Sequence, residues 1–213
     1  VLGSMLAPVS SIAVTVVVVL LYAVFLLVEQ HVFDAKLARL SKDPQTLAKL
    51  RKVIGDINGR VGAYLALKTL LSLLLGAVSW VVMHYFDLQF APFWAVLIAV
   101  LNFVPYLGSV LGVMFPAIMA VVQFVDPGLV FSLVLALTVV QFVIGNFLDP
   151  YVMGNSLNLS PFAILISLAV WSQLWGIPGA FLAVPITAIL AIVLSEFAGT
   201  RPIAVLLSRN GRL

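Results

Sequence analysis

The chain has no cysteine, which excludes disulfides, thiolate metal sites and thiol nucleophiles. Charge is nearly as scarce. Asp, Glu, Lys and Arg are only 9% of the residues, against roughly a quarter in soluble domains, and none falls within 1–28, 88–125, 127–148 or 150–195. Each of those runs exceeds the ~18–20 apolar residues that cross a hydrocarbon core. The runs do not alternate in polarity, which excludes an outer-membrane barrel. There is no HExxH, no Gly-x-Ser-x-Gly and no pair of aspartates within an apolar run, so the chain is not expected to be an enzyme. His31 and His84 have no second ligand four residues away. No metal and no cofactor are therefore expected.

What is present is lipid-compatible sequence. Hydrophobic residues make up 63% of the chain and the mean hydropathy is +1.22, so the fold class is an all-α integral membrane protein, with the lipid bilayer as its first partner. The net charge is +3, but the basic residues lack the interleaved aromatics of a nucleic-acid surface, and no nucleic acid is expected. The opening Val-Leu-Gly-Ser has no basic segment before its apolar run. It reads as the start of a fragment and not as a signal peptide.

Charge distribution and helix breakers divide the chain into a first span (1–30), a basic loop (31–60), two units (61–124 and 127–198) and a tail (199–213). Seven basic residues lie between Lys36 and Arg60, and Arg201, Arg209 and Arg212 are in the tail. The positive-inside rule puts both segments in the cytoplasm of a multi-pass bacterial inner-membrane protein. Within the loop, Asp43-Pro44 is a helix start, and Leu47, Leu50, Ile54, Ile57 and Val61 form an apolar stripe opposite basic residues. This predicts a helix lying at the membrane surface or against a partner subunit, leading into a span over 61–83. Lys68 is the one charge inside that span. Either it snorkels to the headgroups or it takes part in solute or ion binding.

The two units share a plan. Residues 91–122 and 160–193 each begin with a small residue, Pro and Phe, break at a Pro/Gly turn and carry a second proline; Pro92 to Pro116 is 24 residues, as is Pro161 to Pro185. Each unit is thus a straight helix (61–83, then 127–145) and a broken hairpin, an internal repeat proposed from the placement of the breaks. A segment such as 91–104 is too short to cross a bilayer as one helix and suits a re-entrant hairpin. Interrupted backbone at membrane depth needs protein or water around it, and broken helices in corresponding halves point to a transport site. Charge asymmetry does not decide whether the hairpins cross or re-enter, since both return the tail to the cytoplasm.

The most polar passage is "GNFLDPYVMGNSLNLSP", 145–161. A residue before proline is pushed away from helical backbone, so the preceding span is predicted to end near Asp149. Ser160-Pro161 makes an N-cap and first-turn pair for the next helix. Asn146, Asp149, Asn155 and Asn158 either supply turn and cap bonds in a surface loop or line a polar vestibule. Asn102, Gln123, Gln141, Gln173 and Thr187 lie in apolar runs, where such residues commonly bond helix to helix.

This passage, with "LNFVPYLGSVLGVMFPAIMA" upstream, resembles the AI-2E (autoinducer-2 exporter) family of bacterial membrane proteins. The likeness rests on Gly145, Asn146, Asp149, Pro150, Met153, Gly154, Leu159, Ser160, Pro161, Trp171, Gly176, Gly179, Val184, Pro185 and Thr187, and on Asn102, Pro105, Tyr106 and Gly108. It covers about 12–199. Tyr151 stands where members often have a basic residue, Ser172-Gln173 replaces a glycine and aromatic pair, and the family's N-terminal spans are not in this sequence. The resemblance implies secondary transport of a small polar solute, autoinducer-2 (AI-2) first, with exchange of a monovalent cation for protons as the alternative and a non-transporting scaffold as a remoter one. Residue chemistry and resemblance together nominate Asn102, Pro105, Tyr106, Asn146, Asp149, Pro150, Asn155, Asn158 and Gln173 for the solute or ion pathway, with Asp149 as the titrating group of any antiport. A homo-oligomer stays open, because lipid-facing and partner-facing surfaces are equally apolar.

Overall fold

Asp43 begins the first long helix. Its carboxylate accepts from the backbone N–H groups of Gln45 (3.2 Å) and Thr46 (3.1 Å) and from the Thr46 hydroxyl (2.6 Å), which supplies acceptors to an otherwise unpaired first turn. The structure is a computed structural model that describes residues 18, 21–29, 32, 36, 43–154 and 157–211. Val1–Lys52 and Val53–Leu213 form two units. In the first, 21–29 are helical and exposed, and Glu29 pairs with Lys36; most of the expected first span lies outside the described residues.

Helix α1, Pro44–Tyr85, is continuous over 42 residues. Its length, ~63 Å at 1.5 Å per residue, is about twice the ~30 Å hydrocarbon core. The amphipathic stretch runs into the span without a break in the helix.

The first hairpin follows. Its arms are α2, Ala91–Leu101, and α3, Leu107–Gln123. Pro105 cannot continue the ladder, and the chain reverses through Tyr106 at φ 62°, ψ −51°. A Cβ added to Gly108 would lie 1.9 Å from the Leu101 carbonyl oxygen, so only glycine lets the two arms close. The far end of α3 is tied back to the entrance: the Gln123 side chain accepts from the Gln89 N–H and donates to the Asp87 carbonyl, both at 2.7 Å. This hairpin thus re-enters, leaving where it came in. With ~16 Å of helix in α2, it cannot cross.

Asp126 caps α4, Pro127–Val143, by accepting from the Gly128 N–H at 2.8 Å. The span does not end near Asp149 as the Asp-Pro pair predicted. It widens into a π turn, Ile144–Leu148, and continues as α5, Asp149–Met153. The Asp149 N–H reaches the Ile144 carbonyl, five residues back, and Asp149 itself is helical at φ −53°, ψ −55°. The wider turn gives the Pro150 ring, which has no N–H to offer, room beside the preceding carbonyls. Gly154, at φ 52° and ψ −126°, stops the helix.

The second hairpin is α6, Pro161–Ser195, interrupted at Gly176 (φ 64°, ψ −139°). Ser160 caps it by accepting from the Ala163 N–H at 3.1 Å. The Trp171 indole N–H donates to the Thr187 hydroxyl at 2.9 Å. Sixteen residues of straight helix would separate these groups by ~24 Å, so the chain has doubled back. Again a glycine permits the approach: a Cβ on Gly179 would lie 1.9 Å from the Trp171 carbonyl oxygen. Helix α7, Arg201–Leu207, packs on α6. The Ser160 N–H donates to the Leu207 carbonyl and the Arg209 N–H to that of Asn158, which holds the start of the hairpin beside the segment that follows its end.

Helix α1 and the joined Pro127–Met153 stretch are long and apolar enough to span a bilayer, and α6 is as apolar but folds back on itself at Gly176. The protein is an all-α integral membrane protein with two re-entrant hairpins. One apolar cluster joins α1, the first hairpin and α4 through Leu75, Met83, Ala95, Ile98, Leu133 and Leu137. A second joins α1 to the outgoing arm of α6 through Val61, Tyr64, Val184 and Ala188. A third places Val104, at the first tip, against Leu168 and Ala183 of the second hairpin, and Phe103 stacks on Phe181 with centroids 6.1 Å apart.

Candidate functional site

Tyr64, Lys68 and Ser72 recur at four-residue spacing on α1 and so share one face. All three are buried, at 9%, 7% and 2% exposure. A face of this polarity within an apolar span needs partners on neighbouring elements, and two elements supply them.

The π turn supplies the first. Lys68 Nζ donates to Asp149 Oδ2 at 2.8 Å, with side-chain exposures of 8% and 19%. Lys68 therefore does not snorkel to the headgroups: its partner lies 81 residues further along the chain. Continuing the helix through Pro150 sets Asp149, itself helical, beside Lys68 of α1. Removing two charges from water costs several kcal/mol per ion, offset by their mutual attraction only at good geometry. Asp149 Oδ1 is buried with no hydrogen-bond partner. The carboxylate is thus half satisfied. A proton, a cation or a hydrogen-bonding solute has one buried oxygen left to engage.

The first hairpin tip supplies the second partner. Asn102 Nδ2 donates to Ser72 Oγ at 2.9 Å, a buried bond between residues 30 apart in the chain. Ser72 and Lys68 are one helical turn apart, ~6 Å between Cβ atoms. A polar line therefore runs from the tip of the first hairpin through Ser72 and Lys68 to the π turn.

The other nominated residues are dispersed. Tyr106 and Asn146 line one cleft. Asn146 Nδ2 donates to the Phe142 carbonyl at 3.1 Å on its own helix. Pro105 is partly buried in the first turn and Pro150 is exposed after the π turn. The Asn158 carbonyl holds the Arg209 N–H, and Gln173 is exposed near the second tip. Asn155 lies outside the described residues. Sequence reasoning did not single out Tyr64 or Ser72; the signal was their four-residue register with Lys68 in "YLALKTLLS". Among the described residues there is no group of three or more His, Asp or Glu able to hold a metal ion.

A sequence model described as AI-2E family transporter matches residues 1–199. The chain is similar to the "AI-2 transport protein TqsA" of Escherichia coli strain K12, 33% identical over 210 residues, covering 97% of this chain and 59% of that protein. It is also similar to a protein of Borreliella burgdorferi named as a candidate transport protein, 36% identical over 194 residues, 91% of this chain and 53% of the relative. A third relative, YhhT of Escherichia coli strain K12, also named as a candidate transport protein, is 34% identical over 199 residues, 91% of this chain and 54% of the relative. The chain spans between about half and three fifths of the length of these relatives.

Proposed function

The chain belongs to the AI-2E transporter family, and from that premise we propose that it is a membrane part of a secondary transporter that exports a small polar solute, AI-2 before others. The observation that carries this reading is the Lys68–Asp149 ion pair, buried between a span and a π turn. A structural pair of this kind contributes little net stability in hydrocarbon. Its cost is explained if cargo exchanges with it: a solute that bonds to Asp149 loosens α1 from the π turn, and through Ser72 and Asn102 it frees the first hairpin. TqsA, which shares a third of its residues with the chain over 210 positions, is named for AI-2 transport, and that supports the choice of solute.

The basic residues favour an inner-membrane placement with the loop and tail in the cytoplasm. The α1 span then leads outward and α4 leads back. The first hairpin enters from outside and the second from the cytoplasm, so the two units form an inverted repeat around the pair. A second reading, exchange of a monovalent cation for protons at Asp149, is favoured by the unbonded Oδ1. Flux through liposomes containing the full-length protein separates them. The first reading expects labelled AI-2 to move at symmetric sodium and pH; sodium-driven proton movement without AI-2 flux would replace it with the second, and neither flux would leave a non-transporting membrane protein.

A further inference from the structure

Two arginines beyond the second hairpin take no part in the ion-pair line. Helix α6 ends at Ser195, and α7, Arg201–Leu207, packs on it with Ala204 fully buried. The backbone there is fixed at the mouth of the hairpin: the Ser160 N–H donates to the Leu207 carbonyl at 2.8 Å, the Arg209 N–H donates to the Asn158 carbonyl at 2.9 Å, and Leu159 pairs with Ser208 in a single antiparallel bridge. The other face of α7 is open. Ile203 and Leu206, three residues apart and so neighbours on the helix surface, are 50% and 80% exposed. Arg201 and Arg209 stand at the two ends of this apolar stripe, both exposed, and neither guanidinium is in an ion pair among the described residues. No single solvent suits this face. Water leaves the stripe unburied, and hydrocarbon leaves two charges unpaired. The boundary of a bilayer suits it, because apolar side chains enter the acyl region there while the cationic ends stay level with the headgroups.

We propose that α7 is a docking surface for anionic phospholipid headgroups, and that lipid seated there steadies the mouth of the second hairpin. Arg201 and Arg209 each offer a planar fork of donors that matches phosphate oxygens, and a negatively charged leaflet attracts both. Ile203 and Leu206 lie against the first methylenes of the acyl chains. A soluble anion would engage the same arginines but leave the stripe in water, so the partner is the bilayer. What the lipid steadies is backbone. The residues around Leu207 are bonded to 158–160, and Leu159 is buried in the cluster that holds Val61 and Tyr64 of α1. Residues 158–160 lie on the segment that leads from Asp149 into α6, so a fixed α7 fixes the end of that segment. The inference needs only the membrane placement and stands apart from the transport reading.

The test follows amide exchange at 157–160 and 203–211 in the full-length protein in neutral detergent, titrated with phosphatidylglycerol, phosphatidylcholine or inorganic phosphate. Local exchange separates this site from lipid bound at the basic loop. Arg201→Gln/Arg209→Gln removes both charges and Arg201→Lys/Arg209→Lys keeps them; Leu206→Asn interrupts the stripe with both arginines in place, should the glutamine pair fold poorly. The expected result is that phosphatidylglycerol slows exchange in both segments of the wild type and of the lysine pair. Half-maximal protection should need about tenfold more of it in the glutamine pair and more also in Leu206→Asn, and phosphatidylcholine should protect weakly. Equal protection in wild type and the glutamine pair, equal protection by the two lipids, or a Leu206→Asn variant that responds like wild type overturns the proposal. Protection by inorganic phosphate as strong as that by phosphatidylglycerol also overturns it, since a soluble anion would then suffice.

Discussion

The two hairpins are built alike and held differently. Each turns through a residue of positive φ, Tyr106 at 62° and Gly176 at 64°, and each closes on a glycine whose Cβ would lie 1.9 Å from a carbonyl oxygen of the opposite arm. The first is fastened at its tip: Asn102 and Val104 are buried, and Asn102 is bonded to Ser72 of α1. The second is fastened across its arms by Trp171 and Thr187, while Leu174, Trp175 and Ile177 at its tip are 63%, 56% and 76% exposed. One break in the helix therefore serves two purposes. The first tip is bonded to the same helix that carries Lys68, and the second closes on itself.

The comparison can be broken at several points. Lys68→Met strands the Asp149 carboxylate and is expected to cost ~3–5 kcal/mol, read as a fall in thermal midpoint in detergent, with Lys68→Met/Asp149→Asn recovering most of it. If the single variant melts like wild type, the pair does not hold α1 to the π turn. Next come Gly108→Ala and Gly179→Ala. Each forces backbone apart and should lose ~3 kcal/mol with similar falls in folded yield. A fall at one hairpin alone would mean that the closures are not equivalent.

The tips should then respond with opposite signs. Gly176→Ala places a Cβ in a region only glycine tolerates and should lose ~1–3 kcal/mol, whereas Tyr106→Gly relieves strain and should be neutral or slightly stabilising despite glycine's greater freedom when unfolded. Asn102→Ala should cost ~1–3 kcal/mol and speed amide exchange around 101–106, and Thr187→Val should affect only the arms of the second hairpin. The smallest effect lies outside both hairpins. Bonds from the Thr46 hydroxyl and the Gln45 and Thr46 N–H groups hold the Asp43 carboxyl below its ordinary 3.8. Its contribution to the first turn of α1 is present above pH 3.8 and disappears as pH falls through the lower folded value. Circular dichroism of Asp43→Asn against wild type should show the acid-dependent part only in the latter.

Much of this plan was legible in the sequence. Proline and glycine mark both breaks, and Asp43-Pro44 and Ser160-Pro161 mark helix starts, because caps and breakers are local chemistry. Re-entry of the first hairpin depends on Gln123 reaching a loop 34 residues earlier, which no local pattern encodes. Pro150 misled for a related reason: the bias of the residue before proline against helical backbone is a local preference, and Asp149 is helical despite it, at φ −53°, ψ −55°. Lys68 read as a snorkelling residue because its partner is distant in the chain. Gln141 read as helix-to-helix glue, but its buried Nε2 has no acceptor among the described residues, which a residue type does not tell.

The central claim is that the buried pair handles cargo. Its most direct test is the initial rate of AI-2 efflux from liposomes containing the full-length protein, wild type against Asp149→Asn, with folding matched by thermal midpoint. Here we predict a rate at least tenfold lower in the variant, and no recovery when Lys68→Met is added to it. Efflux at the wild-type rate from folded Asp149→Asn protein would contradict the claim and leave the pair as packing alone.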